Sequence, residues 1–424
     1  MTTVSGLSKP QTCDRYASVR RLANTLLRTW PSTGFIIAVI MWQHSGLYFP
    51  NGDPAHDRTV KPRADMMIFY GAAKVMRHSP ADLYDQRKEA AAQKAATGLE
   101  ISSEDRDFLP YAYPAIVALL FVPFTVLSYK TAYFLMLIIN FLLLGITLWI
   151  LSDRLKLCGH NEKIFVLSAT AFLPVYAVFL NGQLSFLLLL FSSLTITNLR
   201  AGRMVRAGIW CGLTAVKPTF LPIFLLWLAA RRYWKTFACA SVVAGTMALF
   251  SIVLVGFHGS ADYITLTTRL AQGYIYTAPL SWMYNLNALV HFLNAGRLAW
   301  LATTATVLAS LLLRKRRDAS GDWDYCALIT ASVLAAPYLL IQELDVMLIV
   351  LALVLAQFRE PISLASQWTL FGIMTAPTIL YAAKEKGGHD WPIVPITLLI
   401  TFVIFTFLSF RKTNNAYHQY DVIM

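Results

Sequence analysis

Charge is scarce in this chain: Asp, Glu, Lys and Arg make up 14% of 424 residues, while 57% are hydrophobic. A soluble domain carries about a quarter charged residues, so a wholly water-facing surface is excluded. Acidic residues are the scarcer sign, 23 against 36 Lys and Arg, for a net charge of +13. Cysteine is sparse as well. Cys13, Cys158, Cys211, Cys239 and Cys326 form no C-x-x-C pair, which argues against a zinc ribbon or a dithiol redox motif and for spectator thiols. There is no nucleotide-phosphate loop, no G-x-S-x-G elbow and no H-E-x-x-H. His291 and His389 have no metal-like partners in sequence. No metal and no cofactor are therefore expected. Internal repeats, low-complexity tracts and heptads are missing too, and no cleavable signal peptide is evident.

What the chain does have is apolar blocks of about 17–25 residues, the length that crosses roughly 30 Å of hydrocarbon. In lipid each backbone N–H and C=O must bond internally, so such blocks are helices. The expected fold is all-α, a polytopic membrane helical bundle. Spans are expected at 33–50, 112–127, 130–152, 163–180, 184–199, 206–229, 234–256, 297–313, 322–338, 343–358, 363–382 and 391–410, with a short apolar piece at 284–293. The positive charge is then explained by basic loops on the cytoplasmic side, and no nucleic-acid partner is expected. Arg15, Arg20, Arg21 and Arg28 place the tail 1–32 in the cytoplasm. Clusters at 200–206, 231–235, 314–317 and 411–412 place those loops and the tail 411–424 there too. Arg154, Lys156 and Lys163 conflict with simple alternation. A re-entrant break of 206–229 at Lys217-Pro218 would resolve part of that conflict, since proline removes a helix hydrogen bond.

The multi-span domain covers 33–410, and residues 51–110 form one large external loop. That loop holds ten acidic and nine basic residues. Within it Met66, Phe69, Tyr70, Ala73 and Met76 follow i, i+3, i+4, i+7 spacing, which predicts an amphipathic juxtamembrane helix over 65–77. Pro80 ends it. An Ala-rich second helix runs over 81–97 and stops at Gly98. Helices of this kind can lie on the headgroup region.

Several residues could carry chemistry. Asp65 opens the first loop helix; an Asp there can simply be an N-cap, or it can be a general base for an acceptor hydroxyl at the membrane surface. Asp53 and Asp57 are weaker rivals. Lys217 lies near the middle of an apolar span, where an ammonium is expensive and points to function; an anionic lipid headgroup phosphate is its expected partner. Asn181-Gly182-Gln183 reads equally as a tight turn or as a polar lining that bonds a sugar hydroxyl. Asn285 and Asn287 can cap the short helix that follows them or contact substrate. Glu343 and Asp345 resist burial and should face water or a cavity.

These pieces together resemble the bacterial multipass glycosyltransferases of family 87, of GT-C type, over roughly 33–360. The resemblance is carried by Asp65 with Phe69-Tyr70-Gly71-Ala72-Ala73, Leu83-Tyr84-Asp85, Tyr111-Ala112-Tyr113-Pro114, Asn181-Gly182-Gln183, Gly208, Gly212-Leu213, Lys217-Pro218-Thr219, Asn285-Leu286-Asn287 and Pro337-Tyr338. The chain departs from the family where Asn285-Leu286-Asn287 replaces a frequent Asn-Gln-Ser, and where Gln342-Glu343 stand after the Pro-Tyr pair. The family resembles the polyprenyl-phosphate-mannose-dependent mannosyltransferases. That implies inverting transfer of a hexose, mannose in the first instance, from a polyprenyl-phosphate donor to a glycolipid or glycan acceptor, on the external face of the cytoplasmic membrane. It implies Asp65 as general base and Lys217 at the donor phosphate. Tyr113, Asn181, Gln183, Asn285, Asn287 and Glu343 remain as candidates for substrate contact. The alternatives are a transporter or flippase of lipid-linked saccharides, although the paired half-repeats common in transporters are not visible, and a polysaccharide polymerase or ligase.

Overall fold

The computed structural model describes residues 65–104, 108–157, 159–272, 280, 283–313, 321–358 and 393–410. The expected spans 33–50 and 363–382, both tails, Asp53, Asp57, Cys13, Cys158 and His389 lie outside them. Among the described residues there are fifteen α-helices, four 3₁₀ turns and no strand, so the chain is a polytopic helical bundle. The loop helices are α1 (Met66–His78) and α2 (Gln86–Thr97). The bundle continues with α3 (Ala115–Phe121), α4 (Tyr129–Arg154), α5 (Gly159–Ala171), α6 (Leu173–Asn181), α7 (Ser185–Arg200), α8 (Met204–Leu213), α9 (Leu221–Ala230) and α10 (Trp234–Ala271). It ends with α11 (Leu286–Phe292), α12 (Gly296–Leu313), α13 (Asp322–Ala335), α14 (Met347–Ala356) and α15 (Ile393–Phe410).

Three of these, α4, α10 and α12, are single helices long and apolar enough to cross a membrane, and the bent pair α5–α6 makes a fourth if it is one span. Several spans read as continuous from sequence are broken. Proline explains the breaks: Pro123 sits in the 3₁₀ turn Val122–Val126, Pro174 in the first turn of α6, and Pro222 in the first turn of α9. The expected break in 206–229 falls at Lys217, between the 3₁₀ turn Thr214–Val216 and α9. Expected span 343–358 is likewise a 3₁₀ turn, Ile341–Val346, followed by α14. Backbone that leaves the helix at membrane depth must be buried in protein or line a cavity, and these two breaks do both.

The core is built on α13, in which every residue except Trp323 is buried. Its first turn carries Asp322 and Asp324, acids at the positive end of the helix dipole. Arg200, at the end of α7, grips Asp322 with Nε at 2.9 Å and Nη2 at 3.2 Å. Arg231, just past α9, grips Asp324 at 2.8 and 2.9 Å and donates to the Leu311 carbonyl at 3.0 Å. Two of the basic clusters read as surface loops thus spend one arginine each on a buried carboxylate. The α8–α10 contact is made by glycine. A Cβ on Gly208 would lie 2.6 Å from that of Cys239, and one on Gly212 would lie 2.5 Å from that of Val243. Small residues four apart let membrane helices approach this closely.

Helix α10 changes direction at Gly256, whose φ of 74° and ψ of 179° are open to glycine almost alone. The predicted span ends there, yet helix continues to Ala271 over residues not expected to be helical. This second arm returns across the loop helices, with Tyr263 5.3 Å from Tyr84.

Arg231 is only 8% exposed at its side chain and Asp324 1%. Removing one charge of a buried pair strands the other. Asp324→Asn is expected to destabilise the detergent-solubilised protein by about 3–5 kcal/mol, read as a fall in thermal midpoint. Asp153→Asn, on a partly exposed acid near the end of α4, should change it little.

Candidate active site

Helix α1 packs into the protein rather than resting on its surface. Ten of its thirteen residues are buried. Phe69 stacks on Phe121 at 4.8 Å, and the Tyr70 hydroxyl donates to the Leu127 carbonyl at 2.7 Å. That anchoring fixes Asp65, at the N-cap position. The carboxylate makes no cap hydrogen bond; it turns outward from its helix and accepts from Gln183 Nε2.

Gln183 reaches it because of the glycine before it. Gly182 ends α6 in the left-handed conformation, with φ +62°, where glycine carries no steric cost. A Cβ there would lie 3.0 Å from Met66 Cβ and 3.3 Å from the Tyr133 ring. The turn therefore presses directly on the residue after Asp65. Gln183 is buried and fully engaged. Its Oε1 accepts from the Tyr113 hydroxyl at 2.9 Å, and its carbonyl accepts from Asn140 Nδ2 at 3.0 Å. With Oε1 taken by a hydroxyl, the amide must offer its N–H to Asp65.

Tyr113 is held in turn by Tyr84, whose hydroxyl donates to the Tyr113 carbonyl at 2.8 Å, and by Phe69, at 4.8 Å between ring centres. The preceding segment is pinned by α2. Glu89 accepts from Tyr111 N at 2.9 Å, and Gln93 Nε2 donates to the Leu109 carbonyl at 2.6 Å.

Across the space stands Lys217, in the break between the 3₁₀ turn and α9. Its Nζ lies 5.3 Å from the centre of the Tyr113 ring, within cation–π range, and is paired with Glu343. Within the protein, the ion-pair partner of Lys217 is thus a carboxylate. The other oxygen of Glu343 accepts from Leu340 N. Asp345 was expected to face water or a cavity and does not. It is fully buried near the pair but off the cavity wall, since residues two apart on a 3₁₀ turn point in different directions.

Asp65, Tyr113, Gln183, Lys217 and Glu343 line one cavity of about 300 Å³. Its remaining wall is mostly apolar and stiff, with Pro110, Pro218, Pro222 and Pro337 among Ile68, Leu109, Leu270 and Leu340. Loss of water around the Asp65 carboxyl raises its pKa to about 6, against the opposing pull of the Gln183 hydrogen bond and of the Lys217 charge. An ordinary Asp titrates near 3.9; this one sits where a proton acceptor works near neutral pH.

The three asparagines do not line the cavity. Asn285 caps α11, accepting from Ala288 N at 3.0 Å, and donates to the Ala336 carbonyl at 2.8 Å. Asn287 donates to the Ala271 carbonyl at 2.9 Å. Both therefore hold wall segments from behind. Asn181 is half-buried at the end of α6. Sequence reasoning missed Tyr263, Thr267, Tyr338 and Gln342 as lining residues. A signal for the first two existed, because 263, 267 and 270 fall on one helical stripe.

The sequence model of glycosyltransferase family 87 matches residues 111–337, just over half the chain. The chain belongs to glycosyltransferase family 87. No curated protein and no solved structure matches it. For this family 87 membrane protein, the match spans the cavity wall from Tyr113 through Gln183 and Lys217 to Pro337. Glu343 stands just past its end, and Asp65 lies well before its start. Among the described residues there is no cluster of three metal-ligating side chains.

Gly182→Ala is expected to lose about 1–2 kcal/mol of stability from its left-handed backbone alone, read by thermal unfolding. It should also push the turn off Met66 and separate Gln183 from Asp65, so any activity should fall more than stability does.

Proposed function

We propose that this chain transfers a hexose, mannose in the first instance, from a polyprenyl-phosphate donor to a glycolipid or glycan acceptor on the external face of the cytoplasmic membrane, with inversion. The observation that carries the proposal is the placing of a carboxylate with a raised pKa, Asp65, and a buried ammonium, Lys217, on the wall of one cavity. Inverting displacement needs a base on one side of the anomeric carbon and charge stabilisation on the other.

Asp65 takes the proton of the acceptor hydroxyl as its oxygen attacks the anomeric carbon. The bond from that carbon to the phosphate oxygen breaks, and the phosphate leaves with the electron pair. Lys217 faces the charge that grows on the leaving group, in surroundings dry enough to make the interaction strong. Gln183 keeps the carboxylate aimed, and Tyr113 links that amide to the ammonium. The donor's lipid tail dissolves in the bilayer, which accounts for a sugar transferase without a nucleotide-binding loop.

Purified protein supplied with polyprenyl-phosphate-mannose and an envelope glycolipid tests this. Formation of a mannosylated product with release of polyprenyl phosphate is expected. Movement of the donor between leaflets with no product would support a lipid-saccharide flippase instead. Asp65→Asn is expected to lose about 10²–10⁴-fold in turnover while still binding donor; full retained transfer would remove Asp65 from the base role. The base must be ionised to work. Turnover at saturating donor should therefore climb about tenfold per pH unit up to about pH 6 and then level off.

A further inference from the structure

We propose that the donor phosphate binds by exchange: it replaces Glu343 as the partner of Lys217, and Glu343 takes up one proton from water as it is released. The inference rests on the reading of Lys217 as the phosphate-holding group and adds what must happen to the anion already there.

Lys217 and Glu343 are buried together, at 7% and 1% exposure, so neither charge is neutralised by solvent. The groups that face the pair are Asp65, the hydroxyls of Tyr113, Tyr263 and Tyr338, and Asp345. The tyrosines carry no charge near neutral pH. Asp345 is fully buried and has no ion-pair partner among the described residues, so it counts as the neutral acid. With Asp65 and Glu343 ionised, the empty site holds two carboxylates and one ammonium. A polyprenyl-phosphate sugar is a phosphodiester with one negative charge. Simple addition would leave three anions around one cation in a poorly solvated space, and a like charge at such a site drives protonation.

Glu343 is the acid that must respond. It loses its cation to the phosphate, whereas Asp65 keeps the Gln183 N–H, which favours its ionised form. The uptake leaves the charge of the site unchanged. It also converts Glu343 from an acceptor into an O–H donor that can bond a phosphate oxygen beside Lys217. Its second oxygen remains anchored by Leu340 N, so the exchange needs a side-chain turn and not a movement of the 3₁₀ segment.

Calorimetric titration of the purified protein with polyprenyl-phosphate-mannose, in buffers of different ionisation enthalpy, reads the proton directly. About one proton taken up per donor bound is expected, with Kd weakening about tenfold per pH unit wherever that full proton is taken up. Glu343→Gln should abolish the uptake and flatten the Kd profile, binding donor more tightly than wild type at high pH. Donor binding without proton uptake in wild type overturns the exchange, as does uptake that survives Glu343→Gln. Binding abolished by a chelator also overturns it, since a divalent cation would then supply the missing charge. Lys217→Ala isolates the underlying reading: unchanged donor affinity in that variant removes Lys217 from the phosphate, while lost affinity with no uptake in wild type removes only the exchange. If Glu343→Gln fails to fold, the wild-type buffer series still decides.

Discussion

The buried pair of Lys217 and Glu343 is the contact around which the chain is arranged. An ammonium taken from water into a helical bundle is tolerated only against an anion with matching geometry. Here each member sits at an interruption of its own helix, Lys217 after the turn Thr214–Val216 and Glu343 within the turn Ile341–Val346. Two breaks that would each be costly alone are joined across the cavity by opposite charge. The free backbone groups they create face a pocket or pack in protein, which is where membrane-depth irregularity can persist. The cavity follows from the pair, because both chains turn aside at the same level.

Three helices tie this level to the opposite end of the bundle. Helix α7 begins two residues after Gln183 and ends at Arg200; α9 begins beside Pro218 and ends before Arg231; α13 begins with Asp322 and Asp324 and ends before Pro337. Sixteen residues of α7 span about 24 Å. One end is closed by two arginine–aspartate clamps and the other holds the cavity. The clamps set the relative height of the three helices, so the residues at their far ends meet at one depth. Among the described residues, the ion pairs made by buried carboxylates thus divide into a bidentate set that holds the bundle and a single lysine–glutamate contact that has a cavity beside it. Of these, the second lines the cavity.

Much of the scaffold was legible in the sequence. The stripe from Met66 to Met76 marks α1, Gly98 marks the end of α2, and Pro218 marks the break beside Lys217, each through a local rule. The cap role of Asn285 was also readable locally. Family membership was readable from the order of short motifs. What was not legible is long-range pairing. Polarity says that Lys217 needs an anion and that Glu343 needs a cation, but not that they choose each other across more than a hundred residues. For the same reason Asp65 reads as a cap, since its actual partner Gln183 is equally distant. The second arm of α10 was lost to composition: His258, Ser260 and Asp262 look like loop, and only the stripe of Tyr263, Thr267 and Leu270 betrays a helix with one buried side.

The position of Glu343 also bears on the proposed donor, which carries no nucleotide. A nucleoside diphosphate brings at least two negative charges and a need for several cations or a metal. The cavity presents one ammonium already matched by a carboxylate, and an apolar wall rich in proline. A singly charged phosphodiester on a lipid tail asks for one cation only, and its tail lies in the bilayer while its headgroup enters. The charge economy of the site therefore agrees with the proposed lipid-linked donor, independently of family membership. In the proposed base role of Asp65, the same economy gives a reason for its place on the far side of Tyr113 and Gln183 from Lys217. Were the two in direct contact, the ammonium would hold the carboxylate ionised but too weakly basic to accept a hydroxyl proton. Separated by a neutral amide and a phenol, the carboxylate keeps both its charge and its basicity.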